Sequence, residues 1–382
     1  MFTGKKFSKF ATLAVSAAVL TFAAVEANAS HFRYGTMNWT RSAVNPLQVT
    51  FNVTEAWRAT FTDSLGFSST AGSFNTVTNR TTIGTFTDAA GEDYTVFNTA
   101  ITQTFPSAGV FNVNAGTCCR IGSLENGNGS SDFDIRAVVD LSEPLANNVG
   151  SPVAQAPIIV PLPISTTASF QLPFSDPDLE GVSVSVAAIT QSGLNTAIPS
   201  VGGNNLTVSS TGLIQWDTSG AAAGQKYAIQ LRVDEDDSAN SIPVDFIIEI
   251  GNGVGNQAPT VNGASLNLEV GDLLDFTVTG NDPDNGPVDP LTWSLDSITG
   301  PQVVNDATFD ELTQQLLWDT SGYNLGTYTF FVSNFDGAAN GLGQILVTLS
   351  ASTVSEPGMA MVLGLGILGV AYSRRRKGAS KS

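Results

Sequence analysis

Short runs of alternating apolar and polar residues recur along this chain: LQVTFNVT at 47–54, LTVSS at 206–210, YAIQLRV at 227–233, LDFTVTG at 274–280 and YTFFVSN at 328–334. Period-two alternation puts one set of side chains on a core face and the other on a solvent face, the pattern of half-buried strands. Gly, Asn, Asp and Pro flank each run, as strand-terminating turns require. No long amphipathic helical period occurs between residues 30 and 350. The predicted fold class is all-β. Only two stretches break the pattern, an apolar run from Ala11 to Val25 and another from Gly358 to Ser373.

The second half of the chain repeats itself. QAP at 155–157 returns at 257–259, SDPD at 175–178 is answered by NDPD at 281–284, and IQWDTSG at 214–220 by LLWDTSG at 316–322. Gly224 to Tyr227 is then answered by Gly326 to Tyr328. A unit of roughly 100 residues with several short strands has the size of an immunoglobulin-type sandwich. The stretches NNVGSPVAQAP and GNGVGNQAP have the composition of linkers between such units. Residues 152–252 and 256–351 are thus predicted as two repeats, after an N-terminal β-rich domain over 30–148. The order of motifs resembles the cadherin-like, Ig-like repeats of bacterial surface proteins, in which a D-P-D-type turn precedes a strand and a late TG-x-I-x-W strand leads into G-x-Y. Thr211 to Trp216 matches that second element well, and Leu312 to Trp318 matches it more loosely.

The ends of the chain carry a different signal. Lys5, Lys6 and Lys9 precede the first apolar run, and Ala27-Asn28-Ala29 follows it. This is the layout of a secretory signal peptide over 1–29, and it predicts an exported chain starting at Ser30. The second run, 358–373, holds 16 residues. As a helix it would be about 24 Å long, short of the ~30 Å hydrocarbon core. Arg374, Arg375, Arg376 and Lys377 follow at once and would stay on the cytoplasmic side. Ser355-Glu356-Pro357 stands just before the run. A Glu-Pro motif, a short Gly/Leu-rich helix and an arginine cluster together resemble the PEP-CTERM sorting signal, here over 355–382. That family usually shows Pro where this chain has Ser355. The resemblance implies an exosortase-type processing enzyme as partner, transient residence in the inner membrane and a place at the cell surface or in the exopolysaccharide matrix of a bacterium with an outer membrane. A plain C-terminal membrane anchor is the simpler alternative.

Between the two targeting segments eight basic residues face 32 acidic ones, a formal charge of −24. Such a surface repels nucleic acid and suits a cation binder or a soluble extracellular protein. Lys226 is the one lysine and His31 the one histidine of that region, so His-based zinc or triad chemistry has almost no material. Calcium takes six to eight oxygen ligands. Asp176 and Asp178 with Asp234, Glu235, Asp236 and Asp237 form one candidate set, and Asp282, Asp284 and Asp336, with Asp289, the other. The competing reading is turn chemistry, with Asp bonding its own backbone and Pro presetting φ. Trp216 and Trp318 are either sugar platforms or core residues, and their matched position in both repeats favours the core.

The N-terminal domain opens with SHFRYGTMNWT and holds the adjacent pair Cys118–Cys119, which are the only cysteines. In an oxidising exterior they allow a ring between neighbours, two intermolecular links or two buried thiols, with the first and third preferred. Across a trans peptide their Cα atoms would lie ~3.8 Å apart, below the usual disulfide range, so the ring would be strained. His31 would stand second after cleavage, as a strand residue or a copper chelator. Two functional classes follow. One is a non-catalytic surface or matrix protein with an adhesive or structural role. The other is a glycan-binding protein or enzyme with its site in 30–148, drawing on Glu55, Asp63, Glu92, Asp93 and Glu125, and with the repeats as stalk.

Overall fold

The computed structural model describes residues 31–351 apart from 60, 62–64, 73, 75–79, 88–92, 146, 178–180, 252–258, 283–290 and 338–339. The signal peptide and the sorting signal, with Ser355, Glu356, Pro357, Arg374, Arg375 and Arg376, lie outside the described residues. Within them the chain is all-β, with a single short helix at Ile189–Ser192.

The alternation in the sequence sorts side chains as strand geometry requires. In Phe32–Arg41, paired antiparallel with Gln48–Arg58, Met37 lies opposite Val53 and Trp39 opposite Phe51. These four pack with Val113, Ala115, Ile135, Ala137 and Val139 of the strands Val110–Thr117 and Phe133–Asp140. The strands of the N-terminal domain belong to one continuous sheet whose two ends pack face to face around this core. The opposite face of Phe32–Arg41 carries Thr36, Asn38 and Thr40, and these are buried too. Alternation predicts a solvated polar face here. Instead, the two repeats cover it.

The repeats share one strand plan. In the first, Ile159–Leu162 runs parallel to Ser241–Ile250, which pairs antiparallel with Lys226–Glu235, and that strand with Val182–Val186. In the second, Ala264–Glu269 runs parallel to Asn340–Ser350, which pairs with Gly326–Phe335, and that with Thr292–Thr299. The facing sheets match as well: Ala168–Gln171 with Leu213–Trp216, and Leu273–Thr277 with Gln315–Asp319. The Trp, Asp and Thr of each WDTSG motif now have a physical role. Trp216 and Trp318 are 2% exposed and meet Tyr227 and Tyr328 edge to face at 4.9 and 4.8 Å. Asp217 accepts the backbone N–H of Ser219 at 3.0 Å, and Asp319 that of Ser321 at 2.9 Å. The fully buried hydroxyls of Thr218 and Thr320 pin the connection that leads from one sheet into the other. Thr218 donates to Pro163 O at 2.6 Å and accepts from Ser165 N at 3.0 Å; Thr320 donates to Asp272 O at 2.7 Å and accepts from Gly271 N at 2.9 Å.

Strand Ser241–Ile250 belongs to two units at once. It enters the N-terminal sheet between Phe133–Asp140 and Phe32–Arg41, with Ser241 opposite Val138 and Gly35 opposite Asp245. Arg120 holds this junction. Its guanidinium reaches both carboxylate oxygens of Asp245 at 2.6 Å and the Ser192 carbonyl at 2.9 Å, and the pair is 2% and 0% exposed. Gln230 completes the network by donating to Asp245 at 2.9 Å and to the Asp134 carbonyl at 2.9 Å. The stretch after residue 146 does not behave as the exposed linker its composition suggests. Asn148, Ser151 and Gln155 are buried, and Val153–Ala154 pairs with Phe174–Ser175. Asn148 serves backbone hydrogen bonding there, donating to Asp140 O at 2.8 Å.

Three stability measurements follow. Arg120→Met strands a buried carboxylate and is expected to cost about 3–5 kcal/mol in denaturant unfolding, with much of that recovered when Asp245→Leu is added. Thr320→Val leaves backbone groups of the 269–272 turn unsatisfied and is expected to cost roughly 1–3 kcal/mol. Asp296 is the extra residue of a bulge between Leu295 and Ser297, and accepts from Ser333 at 3.0 Å. Burial pushes its carboxyl up to about 6 despite hydrogen bonds from Ser333 and Ser294. A raised carboxyl favours folding while protonated, so this contribution is complete below about pH 4 and is lost as pH rises through about 6. Asp296→Asn should stabilise the protein at pH 7 by roughly 1–3 kcal/mol and flatten the melting temperature between pH 4 and 6.

Candidate functional site

The candidate calcium ligands scatter more than their motifs suggest. Asp176 sits half-buried after Phe174–Ser175, whereas Asp178 and Asp284, with Asp289, lie outside the described residues. Asp234 pairs with Arg232 at 2.5 Å. Burial raises its carboxyl above the usual range, with Arg232 opposing. Glu235 is buried and accepts from Ser238 at 2.5 Å and Asn240 at 2.7 Å. Asp236 and Asp237 are exposed at the strand end, and the Asp236 backbone donates to Gly181 at 2.8 Å. Asp282 and Asp336 are half-buried in the second repeat. Among the described residues none of these acids joins a group of three close enough to hold one metal ion.

The acids of the N-terminal domain do not converge in a cleft either. Glu55 is fully buried, accepts from the Trp57 indole at 2.8 Å and pairs with Arg80 at 2.7 Å. Arg80 in turn lies 3.6 Å over the Phe97 ring. This is a structural charge in an aromatic setting. Asp93 opens a strand at the surface, Glu125 is an exposed turn residue whose backbone donates to Lys226 O at 2.9 Å, and Asp63 and Glu92 lie outside the described residues. His31 stacks on Phe61 at 3.7 Å, and its backbone donates to Cys119 O at 3.0 Å.

Cys118 and Cys119 are joined to each other by a disulfide, with a cis peptide between them and Cα atoms 3.2 Å apart rather than at the trans spacing. They sit where a hairpin narrows. The strands Val110–Thr117 and Phe133–Asp140 end on the pair Thr117 and Phe133, which places Cys118 across from Asp132. Gly116 lets the two backbones approach, since a Cβ there would lie 2.5 Å from Phe133 O. Cys118 is exposed and Cys119 is 6% exposed. A shallow groove runs past them, lined by Gly66, Ser68, Asn114, Asp132 and Asp134. Burial raises the Asp134 carboxyl, against the pull of Arg136 at 3.6 Å.

A second concavity was not foreseeable from the motifs. A cleft of about 520 Å³ opens between the N-terminal domain and the second repeat, lined by Thr40, Thr50, Asn52, Thr102, Thr299 and Thr327 among others. Its walls are bridged by hydrogen bonds from Thr40 to Thr327 at 2.7 Å, from Asn38 to Gln344 at 2.9 Å and from Gln344 to Thr54. Arg41 borders it, with its guanidinium donating to the carbonyls of Pro46, Glu143 and Asn148 at 2.9–3.1 Å. The lining mixes these hydroxyls and amides with a larger apolar surface from Val44, Pro301, Leu325 and Leu349 among others. The only sequence signal for it is the row of Thr and Asn at the polar positions of LQVTFNVT.

Residues 33–142 match the model of a family described as integrin beta-like protein A-E, N-terminal. That segment is under a third of the chain, so the similarity belongs to the N-terminal domain alone. No curated protein matches the chain. Among solved structures, human protocadherin-24 EC1-2 is 14% identical, covering 51% of this chain and 95% of its own, with a TM-score of 0.20. An endo-fucoidan hydrolase of glycoside hydrolase family 107 is 15% identical over 76% of this chain and 42% of its own, at 0.21. The titin I-band fragment I67–I69 is 9% identical over 80% and 93%, at 0.18. At these scores the likenesses carry nothing about activity.

Proposed function

We propose that this chain is a non-catalytic, exported protein of the cell surface or extracellular matrix, adhesive or structural in role. The observation that carries the reading is the similarity of residues 33–142 to the N-terminal domain of integrin beta-like proteins, joined through a shared strand to two sandwiches of one plan. The buried charges support it, because Arg120, Asp245, Glu55 and Arg80 all serve to lock the β scaffold. The PEP-CTERM-like tail belongs to the same reading: an exosortase-type enzyme would process the chain at 355–382, and an exopolysaccharide matrix would receive it. Calcium bound by the aspartate sets of the repeats would stiffen the scaffold further. A glycan-binding role is the second reading, and the hydroxyls and amides set among the apolar walls of the cleft favour it.

Two experiments test these statements. In the native host, the full chain should appear on intact cells by protease shaving, and replacing Arg374, Arg375 and Arg376 by Ala should leave it unprocessed in the inner membrane. Correct surface display of that variant would remove the sorting assignment. For calcium, thermal melts of the full chain in a chelator and in millimolar Ca2+ are compared. A site filled to 100 times its dissociation constant adds about 2.7 kcal/mol, which for a cooperative body of this size raises the melting temperature by roughly 4 °C. Asp176→Ala and Asp282→Ala should abolish that rise, and an unchanged wild-type melt would leave the D-P-D segments as turns.

A further inference from the structure

We propose that Cys118, Cys119 and Asp132 form a thiolate–carboxylate site for a borderline-soft divalent cation of the Zn2+ and Cd2+ type, assembled when a small thiol reductant opens the disulfide. The two sulfur atoms and a carboxylate oxygen of Asp132 lie within 4.8 Å of one another. Among the described residues this is the only group of three ligating side chains so placed. The site is independent of the calcium reading, which concerns other residues and oxygen donors.

The backbone around the group is held from several sides. Beyond the Thr117–Phe133 pair, Arg120 N donates to Ser131 O at 2.8 Å, so the segments carrying the cysteines and Asp132 are tied one residue from the donors. The Cys119 carbonyl accepts from His31 N and Phe32 N, both at 3.0 Å. The Ser131 hydroxyl donates to Asn128 O at 2.7 Å, and the Arg120 side chain is fixed on Asp245. Opening the disulfide breaks none of these bonds. Cys118 and Asp132 are exposed beside the groove, giving a hydrated ion a route in. The adjacent Arg120 is turned to Asp245, and Arg136 is engaged by Asp134 at 3.6 Å and Asn114 at 2.8 Å.

The chemistry balances with a thiol as the named co-reactant. Two thiol molecules reduce the Cys118–Cys119 bond: that S–S bond breaks, one forms between the two reductant sulfurs, and their two protons end on the cysteines. Cation binding then releases both protons to solvent, since the thiolate is the ligand. Two sulfurs select against Ca2+ and Mg2+, which take oxygen ligands, and favour softer ions. Three protein ligands leave a fourth tetrahedral position open to water or an external ligand. The acidic surface, at a formal −24 between the targeting segments, draws cations toward it.

The test uses the full chain, reduced with dithiothreitol, freed of it without air and titrated with Cd2+ while thiolate-to-metal charge-transfer absorption is followed. The expected result is one ion per chain after reduction and no such band in the disulfide form. Asp132→Asn should bind at least tenfold more weakly, while Asp134→Asn should bind as the wild type does. X-ray absorption of the wild-type complex gives a readout independent of variant folding, with two sulfur and additional oxygen neighbours expected. Failure of the thiols to appear on reduction, absence of the band, full affinity in Asp132→Asn, or any other sulfur count would overturn the site.

Discussion

The Arg120–Asp245 pair is the contact on which the rest of this structure depends. A bidentate ion pair out of reach of water is costly to assemble, because both groups surrender hydration. It persists here because the pair is hydrogen-bonded further, to Ser192 O and the Gln230 amide. Arg120 comes from the loop that closes the N-terminal hairpin, and Asp245 from the strand that closes the first repeat. Their attraction therefore does what neither hydrophobic core can do alone: it sets the register at which one unit's strand enters the other unit's sheet. Once Asp245 stands opposite Gly35, alternation decides the rest of that strand, with Ile242, Val244, Phe246 and Ile248 all in the core of the first repeat.

The same junction explains why the polar face of Phe32–Arg41 is buried. A sheet held edge to edge with one repeat and covered by the other has no solvent face to offer, so Thr36, Asn38 and Thr40 must find partners. Thr36 donates to Pro243 O at 2.9 Å, Asn38 to Gln344 and Thr40 bonds Thr327. Threonine and asparagine suit this position better than charged residues would, since neutral polar groups lose less on leaving water. The interface is consequently specific in geometry while contributing only modestly to stability through each bond.

How much of this was legible in the sequence differs from unit to unit. The repeats were readable because their strands carry period-two alternation, and because WDTSG recurs with its Trp, Asp and Thr each fixed by a separate constraint. The function of Thr218 and Thr320 was not readable, since a buried hydroxyl and an exposed one look alike in a string of letters. Nor was the sharing of Ser241–Ile250 between units: Arg120 and Asp245 are 125 residues apart, and nothing in either neighbourhood names the other. The burial of the stretch at 147–157 was not legible for a related reason. Asn, Gly and Pro mark irregular backbone, yet irregular backbone can be buried when its polar groups find partners, as Asn148 O does in Arg41 and Ser151 N in Trp39 O. The aspartate motifs were the weakest guide, because an Asx turn and a cation ligand use the same residue, and Asp319 with Ser321 shows the turn use outright.

A chain whose units share strands transmits force differently from beads on a string. In a string of sandwiches each linker is a hinge, and load reaches each module through its two termini. Here the strand Ser241–Ile250 is bonded along its length to Lys226–Glu235 on one side and touches the N-terminal sheet on the other. Pulling the repeats from the N-terminal domain must shear that strand, and the Arg120–Asp245 pair with it, before either core opens. Separating the units thus means breaking strand pairing rather than flexing a linker.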